Sequence, residues 1–245
     1  MENKIQLGLI GRKLGHSFSK KYFENKFNQE GISDYEFNAY EIQEIKEINS
    51  LTRIHNLAGI SVTIPYKVDI INFCHHLSED VRKIGAVNCV KVLNGKLYGH
   101  NTDYLGFLEG LDLNFFQSRR SALICGTGGA SLAIKYALKK EGFDIIQAST
   151  SGKTDLISYD SIDKSVIDQV DLIVNCTPLG TFPHMEESID IPYEMLGPQH
   201  YCYDLVYNPE MTQFLEKSAA QGAYITNGLK MLESQAEYSW KIWTN

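Results

Sequence analysis

Residues Ala122-Leu123-Ile124-Cys125-Gly126-Thr127-Gly128-Gly129-Ala130-Ser131 decide how this chain folds. Four apolar residues make a short buried strand. Glycines follow at once, and an amphipathic pattern over 130–140, ended by Gly142, makes a helix. Glycine is needed where backbone bends tightly and comes close to a pyrophosphate. The helix N-terminus then offers unpaired N–H groups and a positive dipole end to that anion. Ser131 fills the third glycine position with a small residue. A glycine turn alone is weak evidence, since a purely structural turn uses the same residues; the strand before it and the helix after it give the nucleotide reading its weight.

Working outward, apolar runs at 144–148, 172–175 and 201–206 read as further strands, most of them separated by helical patterns. That rhythm implies right-handed parallel crossovers in a doubly wound sheet. A last helix over 228–243 carries Leu229, Leu232, Ala236, Trp240 and Trp243 near a 3.6-residue period. Upstream, 5–10 reads as a strand. Residues 17–29 form an amphipathic helix with Tyr22, Phe23 and Phe27 inward and Gly31 as its stop. Further strands follow at 35–40 and 57–64, the latter halted by Pro65, with a helix through Phe73. Runs at 86–93 and 96–100 flank Asn94-Gly95, which favours a type I′ hairpin turn. The expected fold class is α/β: two α/β domains flanking a cleft, the second a Rossmann-like doubly wound parallel sheet. Residues 1–102, completed by the terminal helix 228–245, would form the first domain and 103–227 the second.

Composition narrows the function. With 245 residues, 43% hydrophobic and 22% charged, the chain reads as a soluble globular protein able to bury two cores. A net charge of −7 lacks the basic footprint that nucleic-acid binding needs, while a few placed cations and hydroxyls still suffice for a small anion. Cys74, Cys89, Cys125, Cys176 and Cys202 are scattered, without a C-x-x-C pair, and read as reduced thiols. His75-His76 has no ligand-spaced partner and reads as a solvated helix end, so no metal is expected. Without a leader pattern at the N-terminus or an apolar run near the ~20 residues of a bilayer span, the expected compartment is the cytoplasm.

Four polar stretches carry the chemistry. About twenty residues past the glycine turn, an NAD site commonly places an acidic residue on the ribose. Here the stretch is Ser149-Thr150-Ser151-Gly152-Lys153, with hydroxyls and one cation, which favours NADP. Ser17 and Ser19 stand at a helix start, where N-capping is the ordinary reading and holding a carboxylate the functional one. Thr63-Ile64-Pro65-Tyr66-Lys67 puts a lysine after a proline corner; such a lysine is either a solvated charge or, near an anion and partly desolvated, a proton exchanger. Asn101-Thr102-Asp103 has its own capping alternative, Asn101 or Thr102 as N-cap and Asp103 in the first turn.

Together these residues resemble the shikimate dehydrogenase family nearly end to end. Ser17-x-Ser19, Val62 through Lys67, Gly85-Ala86-Val87-Asn88, Asn101-Thr102-Asp103, the turn from Gly126, Asn175-Cys176-Thr177-Pro178-Leu179-Gly180, Asp204 through Pro209 and Asn227 through Gln235 fall in the family's order. The resemblance implies reversible NADP-dependent reduction of 3-dehydroshikimate to shikimate, with Lys67 as general acid/base and Asp103 as its partner. It assigns Ser17, Ser19, Thr63, Lys67, Asn88, Asp103, Tyr207 and Gln235 to the substrate. To the cofactor it assigns Gly126, Thr127, Gly128, Gly129, Ala130, Ser149, Thr150, Lys153, Thr177, Leu205, Gly228 and Met231. The protein would act on a small molecule as a monomer or homodimer, with no nucleic-acid or membrane partner.

One departure stands out. Where NADP-dependent members of the family typically carry Asn-Arg-Thr, this chain has Ser149-Thr150-Ser151, leaving Lys153 as the only nearby cation. The alternatives are a quinate/shikimate dehydrogenase with broader substrate or NAD use, and a metabolite-sensing protein of the same fold without catalysis. The presence of both Lys67 and Asp103 speaks against the latter.

Overall fold

Residues 4–15, 18–117, 120–150 and 155–245 are described by the structure, a computed structural model. The chain divides into two units, Met1–Thr102 with Gln235–Asn245, and Asp103–Ser234.

The first unit is built on a six-stranded sheet. Strand β1 (Ile5–Gly11) lies between parallel neighbours β2 (Tyr35–Glu41) and β3 (Leu57–Val62). Beyond β3 follow β5 (Cys89–Leu93) and β6 (Lys96–His100), antiparallel, and then the short β4 (His76–Leu77). The hairpin joining β5 and β6 turns at Asn94 (φ 51°) and Gly95 (φ 71°), the paired positive φ of a type I′ turn. Helix α1 (Phe18–Glu30) lays Phe23 on Phe37 of β2, ring centroids 4.6 Å apart, and ends at Gly31 with φ 68°. Helix α2 is a single turn (Ile48–Leu51). Helix α3 (Glu79–Ile84), which the sequence reading passed over, is capped by Ser78, whose hydroxyl accepts the Val81 N–H, and stops at Gly85 (φ 77°).

Two expectations are corrected here. The helix expected between Pro65 and Phe73 is a series of turns with one 3₁₀ stretch at Asp69–Phe73. The crowded β-branched residues Val68, Ile70 and Ile71 resist α-helix, and Tyr66 is instead tied by its hydroxyl to the Ile42 carbonyl (2.6 Å). His75-His76 is no helix end: His76 stacks on Tyr98 at 4.8 Å, and His75 Nδ1 accepts the Leu97 N–H at 3.1 Å, both at the sheet edge.

The second unit has five strands, all parallel, in the order β11-β10-β9-β7-β8. They are β7 (Ser121–Cys125), β8 (Asp144–Ala148), β9 (Leu172–Asn175), β10 (Tyr201–Asp204) and β11 (Tyr224–Thr226). Helices α4 (Asp103–Gly110), α5 (Gly129–Lys140), α6 (Lys164–Ile167) and α7 (Gln213–Ala220) accompany them. Every residue of β7, β9 and β10 is buried, as expected of parallel strands covered on both faces. Leu123, Cys125, Ile173 and Cys202 pack on one side with Phe214 and Leu215 of α7. Tyr203, from the other side of β10, meets Phe107 of α4, centroids 4.9 Å apart. The chain order crosses from β8 over β7 to β9, which makes the end of β7 a topological switch point.

Helix α8 (Leu229–Thr244) starts in the second unit, and its residues from Gln235 belong to the first. Its Trp243 ring occupies the space that a Cβ on Gly59 would need, and its Nε1–H donates to the Val90 carbonyl at 3.0 Å. Trp240, against Tyr35 and Phe27, seats the same helix.

Candidate active site

Register aligns one edge of the second unit's sheet. Cys125 pairs with both Ala148 and Asn175, and Asn175 pairs with Asp204, so four strands end at one level. The next residues along each strand are Gly126, Ser149, Cys176 and Leu205, and Thr177 follows directly. Gly126 has φ 110°, a conformation that suits glycine, and a Cβ there would lie 3.1 Å from Thr177 Cγ2. The turn is braced from behind. Gln147 Nε2 donates to the Gly126 carbonyl (2.8 Å), Lys135 Nζ donates to Gln147 Oε1 (3.0 Å), and buried Ser131 donates to the Gly128 carbonyl (2.7 Å). Those bonds occupy the Gly126 and Gly128 carbonyls, while the first N–H groups of twelve-residue α5 have no acceptor within the helix. Around the Cβ position of Gly128 nothing lies within 4 Å, so the turn has room for a phosphate against its backbone, and the residues fit a dinucleotide. Thr127 is exposed and Ala130 half-buried.

Past the second strand of this unit, Ser149 is buried and its N–H donates to the Ile157 carbonyl, while Thr150 is exposed. Lys153 lies outside the described residues. Thr177 donates N–H and Oγ1–H to Asn175 Oδ1 at 3.0 and 2.6 Å. Leu205 N–H donates to the Asn175 carbonyl at 3.0 Å. Gly228 follows β11 by two residues and donates its N–H to Val206 (3.0 Å), so Leu205 and Gly228 are brought together. Met231, in the first turn of α8, is buried. Tyr207 is half-buried, and burial raises its hydroxyl pKa.

In the first unit, Val62 and Cys89 adjoin across the sheet, because Ser61 pairs with Cys89 and Cys89 with His100. Thr63, Asn88 and Asn101 therefore leave or enter the sheet at one edge. The Thr63 N–H donates to Ile10 at 3.0 Å and the Lys67 carbonyl accepts from Val87 N–H at 2.7 Å, which seats half-buried Lys67 beside the Asn88 segment. Asn88 is 3% exposed. Its Oδ1 accepts the Thr102 N–H (2.6 Å), and its Nδ2 donates to Thr102 Oγ1 (2.9 Å) and Gln235 Oε1 (3.3 Å). Thr102 Oγ1 also meets Ser239 Oγ at 3.0 Å, and Ser239 donates to the Gln235 carbonyl at 2.8 Å. Three distant segments thus meet in one buried polar cluster. In that cluster the Thr102 hydroxyl accepts from Asn88, and beside it Asn101 Nδ2 donates to the Ala86 carbonyl at 2.9 Å. Asp103 does open α4, and is buried. Ser19 lies in the first turn of α1, half-buried, and Ser17 lies outside the described residues.

The sequence reading missed Gln147, Asp204, Thr212 and Ser239 as parts of these edges. Each is a polar residue in an otherwise buried position, a signal visible once the element is drawn. All five cysteines are free thiols. Among the described residues, the one group of metal-capable side chains close together is His184, Glu186 and Glu187, all three exposed.

A glycine turn at the switch point of an all-parallel sheet, with polar residues at the ends of its neighbouring strands, defines a dinucleotide-binding α/β protein. The family model of the shikimate dehydrogenase substrate-binding domain matches residues 9–90. The NADP(+) shikimate dehydrogenase of Desulforamulus reducens is 33% identical, covering 97% of this chain and 89% of that protein. That of Methanococcus maripaludis is 34% identical, covering 100% and 93%. A crystal structure of a shikimate dehydrogenase in complex with NADP+ superposes with a TM-score of 0.88 at 29% identity, over 98% of this chain and 90% of that one. The chain belongs to the shikimate dehydrogenase family, and with it to the NADP-dependent oxidoreductases. Among the described residues no helix is long and apolar enough to cross a membrane.

Proposed function

We propose that the protein reversibly reduces 3-dehydroshikimate to shikimate with NADPH, a step of chorismate and aromatic amino-acid biosynthesis. The observation that supports this most is the cluster of Asn88, Thr102 and Gln235 at the strand edge from which Thr63 and Lys67 depart. Residues 1–102 and the end of α8 then act as the substrate domain, and the rest as the cofactor domain.

Bound NADPH supplies the hydride, and the chain supplies binding, orientation and a proton. Lys67 donates that proton to the developing alkoxide, and Asp103 is its partner, keeping the ammonium oriented. Ser17 and Ser19 hold the substrate carboxylate. Asn88, Asp103 and Gln235 meet its hydroxyls, and Thr63 and Tyr207 complete the contacts. Such a site rejects analogues lacking a hydroxyl, because its buried polar groups would be left unpaired. Gly126 through Ala130 receive the pyrophosphate. Thr177, Leu205, Gly228 and Met231 line the remainder of the cofactor, and Ser149, Thr150 and Lys153 its 2′-phosphate.

Spectrophotometric oxidation of shikimate and quinate, each with NADP and NAD, tests the reading. The highest kcat/KM is expected for shikimate with NADP. Comparable turnover of quinate, or of shikimate with NAD, would instead identify a quinate/shikimate dehydrogenase, and no turnover a metabolite-binding protein. The missing arginine sharpens the cofactor question. Lysine is a point charge on a flexible stem, whereas arginine offers a planar two-point fork. Lys153→Ala should weaken NADP by roughly 1–3 kcal/mol, the range for losing a charged hydrogen bond, and leave NAD nearly unaffected. Thr150→Arg should tighten NADP selectively. Unchanged KM values for both cofactors in Lys153→Ala would place the phosphate elsewhere.

A further inference from the structure

Asp204, the last residue of β10, is wholly buried at the cofactor edge, and the mechanism above gives it no part. Its Oδ1 accepts from Asn175 Nδ2 and from the Val206 N–H, each at 3.0 Å, and its Oδ2 accepts the Thr212 hydroxyl at 2.6 Å. An ionised carboxylate can only accept. The Asn175 side chain must therefore turn its NH2 toward Asp204, which leaves its carbonyl oxygen facing Thr177. There it takes both the backbone N–H and the hydroxyl of Thr177. With its proton committed to Asn175, the Thr177 hydroxyl is left to accept the Leu179 N–H at 3.3 Å. The methyl of Thr177 lies against Gly126. One fixed polarity thus runs from Asp204 to the glycine turn.

We propose that Asp204 is a positioning residue for cofactor binding: it dictates which way the Asn175 amide points, and through that amide it holds Thr177 at the cofactor edge.

Burial pushes the Asp204 pKa up to about 6 although Thr212, Val206 and Asn175 all favour the ionised form, so desolvation outweighs the three bonds. A buried charge of this kind is weak evidence for stability, and shifted groups gather at functional sites. The inference rests on the reading of this edge as the NADP site.

NADPH titration followed by nucleotide fluorescence, on variants first checked as folded by circular dichroism, tests it. Asp204→Ala and Asn175→Ala should each raise the NADPH Kd by roughly tenfold, the effect of losing one oriented hydrogen bond. Since both act through the same amide, the double variant should be no weaker than either single one, within about twofold. Asp204→Asn keeps an acceptor for Asn175 and Val206 and should recover most of the affinity. A parental Kd in folded Asp204→Ala, losses that multiply in the double variant, or an Asp204→Asn as weak as Asp204→Ala would overturn the inference. Should Asp204→Ala fail to fold, Asn175→Ala carries the test, and a parental Kd there overturns it equally. A parent protein that binds no NADPH would instead overturn the reading of the edge as the NADP site.

Discussion

Lys67→Ala is expected to lower kcat by at least ~10²-fold while shikimate still binds, the size of effect that loss of a general acid produces. The surroundings of Lys67 keep this from being a folding effect. Its backbone is fixed from both sides, by the Val87 N–H on its own carbonyl and by the buried Tyr66 ring with its hydroxyl on Ile42. The lysine side chain is only half-buried, so truncation leaves no large cavity. Steady-state kinetics with shikimate and NADP read the result directly. A near-normal kcat with only KM raised would make Lys67 a binding residue. Lys67→Arg separates charge from proton transfer, since a guanidinium keeps the charge but does not release its proton near neutral pH. It should remain as slow as the alanine variant.

The strands that decide the fold were legible because their signals are local. Residues 122–125 are uniformly apolar and followed by glycine, and Asn94-Gly95 can form little else but the turn it forms. Where competing local preferences met, the reading slipped. Residues 66–73 carry a helix-like apolar spacing, but β-branched residues and the Tyr66 anchor settle them as turns. In α3 the Ser78 cap and Gly85 stop were present, yet its six residues are too few to show a period. The chemistry-bearing residues were legible as segments and not as partners. Thr102 and Ser239 are 137 positions apart, and only the register of β3, β5 and β6 with the seating of α8 brings them together with Asn88. The same holds for Asn175 and Asp204, which become neighbours because β9 and β10 end at one level.

Two glycine-to-alanine substitutions at the cofactor edge should weaken NADP for opposite physical reasons. A Cβ on Gly228 would sit 2.6 Å from the Leu205 carbonyl carbon and 3.1 Å from its Cα, and closer still to the carbonyl oxygen. All three atoms are backbone, so no side chain can swing aside. Relief requires shifting either the exit of β10 or the start of α8, where the Gly228 carbonyl accepts the Leu232 N–H. Overpacking of this kind costs roughly 1–3 kcal/mol, occasionally more. Gly228→Ala should therefore lower the melting temperature as well as NADP affinity, because Leu205, Gly228 and Met231 are displaced together. Gly128 is the converse case. It has an ordinary φ of −71° and open space around its Cβ position, so alanine meets no clash and loses at most about 1 kcal/mol of N-cap preference. The added methyl instead occupies the room proposed for the pyrophosphate. Gly128→Ala should keep a near-parental melting temperature while NADPH Kd rises by at least roughly tenfold, since the phosphate can no longer approach the backbone N–H groups. Thermal unfolding and NADPH titration on the same two variants separate the effects. A Gly128→Ala protein that binds NADPH as tightly as its parent would show that the turn after β7 does not cradle the phosphates.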